Sequence, residues 1–296
     1  MLKIDEIARI ACPDCHGELR FGGERRDGRV HRGGLWCDHC AARWPVRDGL
    51  CHLYRDEQVT GPDRLMRSVY NRFSPFHDVS VAMLLPLFQA GRASSTEHAF
   101  RDGFMRRLEI GALRPRPDGQ PVRILEVGIG TGANLRYLRR DLPDRLPVEI
   151  WGVDLSPGML GVLRRTLRRQ SDTEVRLVLG DAHALPFPDH SFDRVFHVGG
   201  INGFRDPAVA LAEMARVAVP GSPVVVVDEQ LDLEQQPNLY HRATFKMVTW
   251  YDLDPHCPVE SVPLGAVDVR AEQLSLMLFC LSFRMGKALP APGGAG

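Results

Sequence analysis

Ile124-Leu125-Glu126-Val127-Gly128-Ile129-Gly130-Thr131-Gly132 is a short aliphatic run that passes straight into three glycines at alternate positions. The run reads as a strand buried on both faces, and the glycines as a turn whose backbone can approach a ligand closely. A helix is expected to follow over Ala133 to Arg140. A strand running into GxGxG fits several nucleotide-type ligands, and also a tight turn with no ligand, so the flanking sequence has to decide.

Downstream, β-rich runs at Glu149 to Asp154, Val175 to Leu179, Phe192 to Val198 and Pro223 to Asp228 alternate with helical segments at Pro157 to Arg169 and Pro207 to Val217. This is the pattern of a parallel sheet covered by helices. Two last strands, Ala266 to Leu274 and Leu276 to Phe283, lie too close for a crossover and are expected to pair antiparallel. Asp154 falls 22 residues past Gly132, at a strand end where a carboxylate can accept both ribose hydroxyls of an adenosine. Asp181, in Gly180-Asp181-Ala182, ends the next strand and can accept from an adenine amino group. Dinucleotide-binding folds have no standing need for that second acid. The loop is not GxGxxG either, and Glu126 sits two residues before its first glycine, which makes a dehydrogenase the weaker reading.

Four stretches, LEVGIGTG from Leu125, GVDLSPGML from Gly152, GDAHALPFPDHSFD from Gly180 and EMARVAVPG from Glu213, resemble the class I S-adenosylmethionine (SAM) dependent methyltransferases. Within that class they are similar to the branch of the ubiquinone and menaquinone C-methyltransferases. The resemblance covers roughly 70 to 283 and implies a Rossmann-like α/β fold, a mostly parallel seven-stranded sheet ending in an antiparallel hairpin. It implies that Gly128, Gly130 and Gly132 surround the methionine part of SAM, with Glu126 near that moiety and Asn134 in the same cofactor set. Asp154 and Leu155 would hold the ribose, Met159 would pack on adenine, and Asp181 and Ala182 would read its edge with His183 flanking the ring. Ser68-Val69-Tyr70-Asn71-Arg72-Phe73 is similar to the helix whose tyrosine closes over SAM in this branch, which nominates Tyr70. The sequence that follows, Ser74-Pro75-Phe76-His77-Asp78, keeps only part of that pattern. His197 follows the fourth strand and would line the SAM pocket.

Near the N-terminus, Cys12-Pro13-Asp14-Cys15 and Cys37-Asp38-His39-Cys40 give C-x2-C twice across a 21-residue gap, the spacing of a closed four-thiolate zinc site. His16 and His39 are adjacent alternatives, but four cysteines complete the shell. Residues 1 to 57 are poor in large aliphatics, so a metal is expected to supply the stability that a core would not. Trp44-Pro45-Val46-Arg47-Asp48-Gly49-Leu50 resembles the ending of the small zinc-ribbon proteins that activate methyltransferases, here fused, with Cys51 where those have proline. The expected organisation is a zinc ribbon over 1–57, a helical cap over 58–119 with an apolar helix near Val79 to Phe88, and a SAM-binding domain over 120–296.

Composition bounds the partners. Lysine and arginine (37) equal aspartate and glutamate (37), so no global field draws the chain to nucleic acid or an anionic membrane. Seven cysteines without a secretory signal favour a reducing cytoplasm, and no apolar run is long enough to span a membrane. Methyl transfer needs placement and dryness more than a dedicated base. If the acceptor must lose a proton, His197, Tyr70 and His241 are the leading nominees, with His77, Tyr240 and His256 behind them. The aromatic insert Leu231 to Val262 suits a small hydrophobic or aromatic acceptor methylated at carbon, oxygen or sulfur. Two alternatives stand beside this reading: an RNA base methyltransferase using Arg25, Arg26, Arg29 and Arg32 as phosphate contacts, and a SAM-binding scaffold for a partner protein. The Asn/Asp-Pro-Pro-aromatic signature of N6-adenine methylation is absent after the fourth strand.

Overall fold

The structure is a computed structural model and describes residues 2–74, 97–170, 172 and 174–286. The expected helix at Val79 to Phe88 and the nominee His77 lie outside the described residues. Among the described residues, eleven strands join in one sheet of order β1-β2-β3-β4-β7-β6-β5-β8-β9-β11-β10. They are β1 (Leu19–Arg26), β2 (Arg29–Cys37), β3 (Arg43–Arg47), β4 (Leu50–Leu53), β5 (Val122–Val127), β6 (Val148–Asp154), β7 (Val175–Gly180), β8 (Arg194–Val198), β9 (Pro223–Glu229), β10 (Ala266–Ser275) and β11 (Leu278–Met285). Helices α1 (Gly61–Phe73), α2 (Glu97–Leu108), α3 (Leu135–Asp141), α4 (Pro157–Arg169), α5 (Pro207–Val217) and α6 (Leu239–Val248) complete the frame.

Strands β7, β6, β5, β8 and β9 are parallel; β11 returns antiparallel on β9 and β10 on β11, as the short connection requires. The chain reverses its direction of travel across the sheet between β5 and β8, so the crevice beyond their C-terminal ends is the natural ligand position. Helix starts are chemically marked. Ser156 accepts from the Met159 N–H and Asp206 from the Val209 N–H, each followed by proline at the first helical position, and Asn238 accepts from the His241 N–H. The central strands are buried on both faces: Leu125 and Val127 join the layer of Trp151, Phe187 and Phe192, while Ile124 faces Phe104, Phe196 and Leu160.

The N-terminal ribbon differs from expectation in one respect. Leu2, Ile10, Val30, Leu35, Trp44, Val46 and Leu53 are buried in the same hydrophobic layer as Trp151 and Phe187. A segment poor in aliphatics shares its neighbour's core instead of building one. The seam is β4, which pairs parallel with β7 (His52 with Leu179, Leu53 with Gly180) and so covers an edge strand that would otherwise be open. Arg176 pairs with Glu6 at 2.9 Å across the same seam, and the Ala11 N–H donates to the Pro186 carbonyl at 2.9 Å.

Leu53 is fully buried at this seam. Leu53→Ala is expected to destabilise the whole protein by about 2–5 kcal/mol, with ribbon and sheet melting in one transition by calorimetry. A separate early transition confined to the ribbon would show that the shared core is not cooperative.

Candidate functional site

A cavity of about 640 Å³ opens beyond the C-terminal ends of β5, β6, β7, β8 and β9. Its floor is the glycine turn. Gly128 has φ of 69°, and a Cβ there would lie 3.1 Å from His197 Nδ1; Gly132 has φ of 82° with Leu163 and Leu135 under 3 Å from the same test atom. Both need the left-handed region and both lack room for a side chain. The turn is tied sideways to β6: the Gly130 N–H donates to Asp154 Oδ2 at 2.8 Å, and the Ser156 N–H to Oδ1 at 2.7 Å. Asp154 also lines the cavity.

Beneath the turn Glu126 is buried. Asn134 Nδ2 donates to its Oε1 at 2.6 Å, Arg101 donates to Asn134 Oδ1, and Glu126 Oε2 has no hydrogen-bond partner among the described residues. Burial pushes this carboxyl up to about 8 against the pull of Asn134 and Arg101. Arg101, on α2, was not foreseen; nothing in its helical stretch separates it from a solvent-facing arginine.

His197 is 1% exposed at the end of β8, and its Nδ1 lies 2.8 Å from the Val127 carbonyl. A carbonyl only accepts, so Nδ1 carries the proton and Nε2 presents a lone pair, unpartnered among the described residues. Burial drives the imidazole down to about 4, so at neutral pH it is an uncharged hydrogen-bond acceptor. Tyr70 also lines the cavity, from α1, and burial followed by the nearby acids Glu229 and Asp228 pushes its phenol above the ordinary range. His241 lies in the first turn of α6, buried but apart from the lining residues, because α6 reaches the cavity only with its later residues Phe245, Met247 and Val248. His256 is exposed and held by Glu260, and Tyr240 is largely exposed.

Of the other cofactor nominees, Leu155, Met159, Asp181, Ala182 and His183 all line the cavity beside Asp154. Two further acids sit at the end of β9. Asp228 accepts from the Gly200 and Asn202 N–H groups at 3.0 and 2.8 Å, and Glu229 accepts from the Tyr251 hydroxyl at 2.9 Å. Burial, then the neighbouring Glu229, holds the Asp228 carboxyl well above the usual carboxylate range. Their signal was positional, two acids closing the all-aliphatic run Val224 to Val227 at a strand's C-terminal end. Next to them the wall is apolar and aromatic: Phe245, Trp250, Tyr251, Met277 and Leu278.

Away from the cavity, Cys12, Cys15, Cys37 and Cys40 bring four sulfurs within 4.8 Å of one another. Cys12 and Cys40 are 3.6 Å apart and Cys15 and Cys37 3.5 Å, near the edge of about 3.8 Å that zinc–thiolate bonds of about 2.3 Å give in a tetrahedron. Each C-x2-C folds alike, with the residue after it at positive φ (His16 56°, Ala41 59°) donating back to the first cysteine's carbonyl. A Cβ at Gly17 would touch two of the sulfurs, at 3.0 and 3.3 Å. The donor set fits zinc. Of the ribbon arginines, Arg32 pairs with Asp48 and Arg26 with Glu24.

Residues 125–226 match the methyltransferase domain family. The chain is 37% identical over 128 residues to a demethylmenaquinone methyltransferase of Thermus thermophilus, covering 43% of this chain and 56% of that one. It is 38% identical over 127 residues to a malonyl-[acyl-carrier protein] O-methyltransferase of Halorhodospira halophila, covering 42% and 38%. The chain thus spans about half the length, or less, of these curated relatives. Among solved structures, a Haemonchus contortus phosphoethanolamine N-methyltransferase bound to S-adenosylhomocysteine aligns with a TM-score of 0.57 at 15% identity, over 83% of this chain and 62% of that one. The [4+2]-cyclase SpnF aligns at 0.54 and 17%, over 75% and 96%. The match to a methyltransferase domain thus extends over residues 125–226, and the solved structures share the fold; the cyclase among them shows that the fold alone does not fix the reaction.

Glu126 yields a pH test. Its folded pKa is raised, so its contribution to stability is present in full below about 4.3, the ordinary glutamate value, and is lost as pH rises through about 8. Glu126→Gln is expected to flatten the wild-type decline in melting temperature across that window. An unchanged slope would place the titration elsewhere.

Proposed function

We propose that the protein transfers a methyl group from SAM to a small apolar, ring-bearing organic acceptor, with a structural zinc ion in its ribbon. The observation that carries this is that one cavity joins two chemically different ends. One end has the glycine turn, Asp154 and Asp181, suited to an adenosyl group; the other has Phe245, Trp250 and Met277, suited to an apolar ring. The demethylmenaquinone named for one relative is a quinone-type acceptor and supports a small organic substrate, whereas the other relative's name specifies a malonyl group borne on a carrier protein.

When bound, SAM supplies an electrophilic methyl on a sulfonium, which leaves with its bonding pair retained on sulfur. The protein's part is placement. Asp154 would take the ribose hydroxyls and the turn would hold the methionine part over Glu126. Tyr70 would cover the slot from α1. On the acceptor side, His197 Nε2 and the Tyr251–Glu229 pair offer hydrogen-bond acceptors at the junction of the two ends, able to orient a hydroxyl or to take its proton. The apolar wall excludes water that would compete for the methyl group. In the ribbon, the four thiolates would enclose zinc with no open position, which makes it structural.

In calorimetry the wild type is expected to bind S-adenosylhomocysteine, and Asp154→Ala to weaken it about tenfold or more, the loss of a charged hydrogen-bonding group. Equal affinity would remove Asp154 from the site. Label from SAM is expected in an organic extract of host cells and not in total RNA; label confined to RNA would contradict the acceptor class. Metal analysis is expected to give about one zinc per chain, and chelation to lower the melting temperature. A folded, metal-free ribbon would refute the zinc assignment.

A further inference from the structure

Asp63, in α1, and Asp181, just past the end of β7, both line the adenosyl slot, and both are buried. One guanidinium joins them: Arg205 Nη1 donates to Asp63 Oδ2 at 2.5 Å and lies 2.8 Å from Asp181 Oδ2, while the Arg205 N–H donates to Asp63 Oδ1 at 3.2 Å. His183 completes the group. Its N–H and Nδ1 reach Asp181 Oδ1 at 2.9 and 2.7 Å, and its Nε2 accepts from the Asp206 N–H at 3.3 Å. A backbone N–H only donates, so Nδ1 carries the imidazole proton and donates to Asp181. Thus both Asp181 oxygens are engaged by protein groups, although the sequence nominates this acid to read adenine.

Asp63 stands in the first turn of α1, the helix whose Met66, Arg67 and Tyr70 form one side of the slot. The far end of α1 is fastened too: Asn71 Oδ1 accepts from the Ser156 hydroxyl at 2.7 Å and from the Gly158 N–H at 2.9 Å. A Cβ at Gly158 would lie 2.9 Å from Asn71 Cα, so α1 rests directly on the start of α4. The two fastenings differ in kind. The Asn71 bonds are neutral, whereas the Asp63 anchor is charge-assisted and buried, and separating it strands a charge in low dielectric.

We propose that Asp63–Arg205–Asp181 is a latch that holds α1 across the adenosyl slot, with Arg205 a positioning residue that governs how fast an adenosyl ligand enters and leaves. This rests on the proposed SAM site. Every contact in the latch is between protein groups, so weakening it lowers the same barrier in both directions. The kinetic signature is therefore faster association and faster dissociation together. A residue that merely supports the fold would lower affinity by slowing association or by unfolding the site.

Trp250 lines the cavity and supplies a fluorescence signal for stopped-flow measurement with S-adenosylhomocysteine. Asp63→Asn is expected to raise both rate constants about tenfold, the loss of one charge-assisted bond, with Kd changing less than either. Arg205→Gln is expected to do the same, and the double variant to be no faster than the faster single one. Wild-type rates in both single variants, or effects that multiply in the double variant, would overturn the latch. Should the variants fail to fold, hydrogen exchange on the wild type decides. The α1 amides and the Arg205 amide are expected to open together, and an α1 that opens while the Arg205 amide stays protected refutes the proposal. A folded wild type with no response to S-adenosylhomocysteine would instead contradict the SAM site, leaving hydrogen exchange to judge the latch.

Discussion

The chain must leave the sheet after β5 and begin α3 without putting a side chain into the slot between them. Three glycines meet that demand sterically, but a glycine turn is floppy until something holds it. The Gly130 N–H on Asp154 is that hold: it joins the turn to the end of the neighbouring strand and leaves the carboxylate edge facing the cavity. Glu126, Asn134 and Arg101 brace the turn from below. Because β5 is central, paired with β6 on one side and β8 on the other, each lining group from those strands is positioned relative to this one turn.

The ribbon extends the same sheet. Four sulfurs lie close enough for one ion, two of them ahead of β1 and two at and after the end of β2, and the chain runs on to β4, whose Leu53 pairs with Gly180 just before Asp181. A segment too poor in aliphatics to fold around its own core thus shares its neighbour's hydrophobic layer, and the proposed zinc would add a second source of stability. In return it covers the edge of β7 and packs behind the strand that delivers Asp181 to the cavity.

What the sequence disclosed follows from locality. The glycine turn, the strand-end acids and the cysteine pairs are short-range patterns whose chemistry is readable from spacing, and the helices at Pro157 and Pro207 announce themselves by cap and proline. Contacts between distant segments are not readable that way. Nothing local marks Arg205 as the partner of Asp63, 142 residues away, or Arg101 as the brace under Asn134. The sharing of the core by residues 1–57 was missed for the same reason: composition reports what a segment can bury alone, not what a neighbour can bury for it. His241 shows the converse limit, since residue type nominates a histidine while its place in the first turn of α6, one turn before Phe245 on the same face, leaves it outside the cavity lining.

The most direct measurement is a crystal structure of the protein with S-adenosylhomocysteine. The ribose hydroxyls are expected within hydrogen-bond distance of Asp154, with the adenine against Met159 and Asp181-Ala182 and the homocysteine over the turn at Gly128. Density for the nucleoside elsewhere, or a ribose turned away from Asp154, would contradict the account.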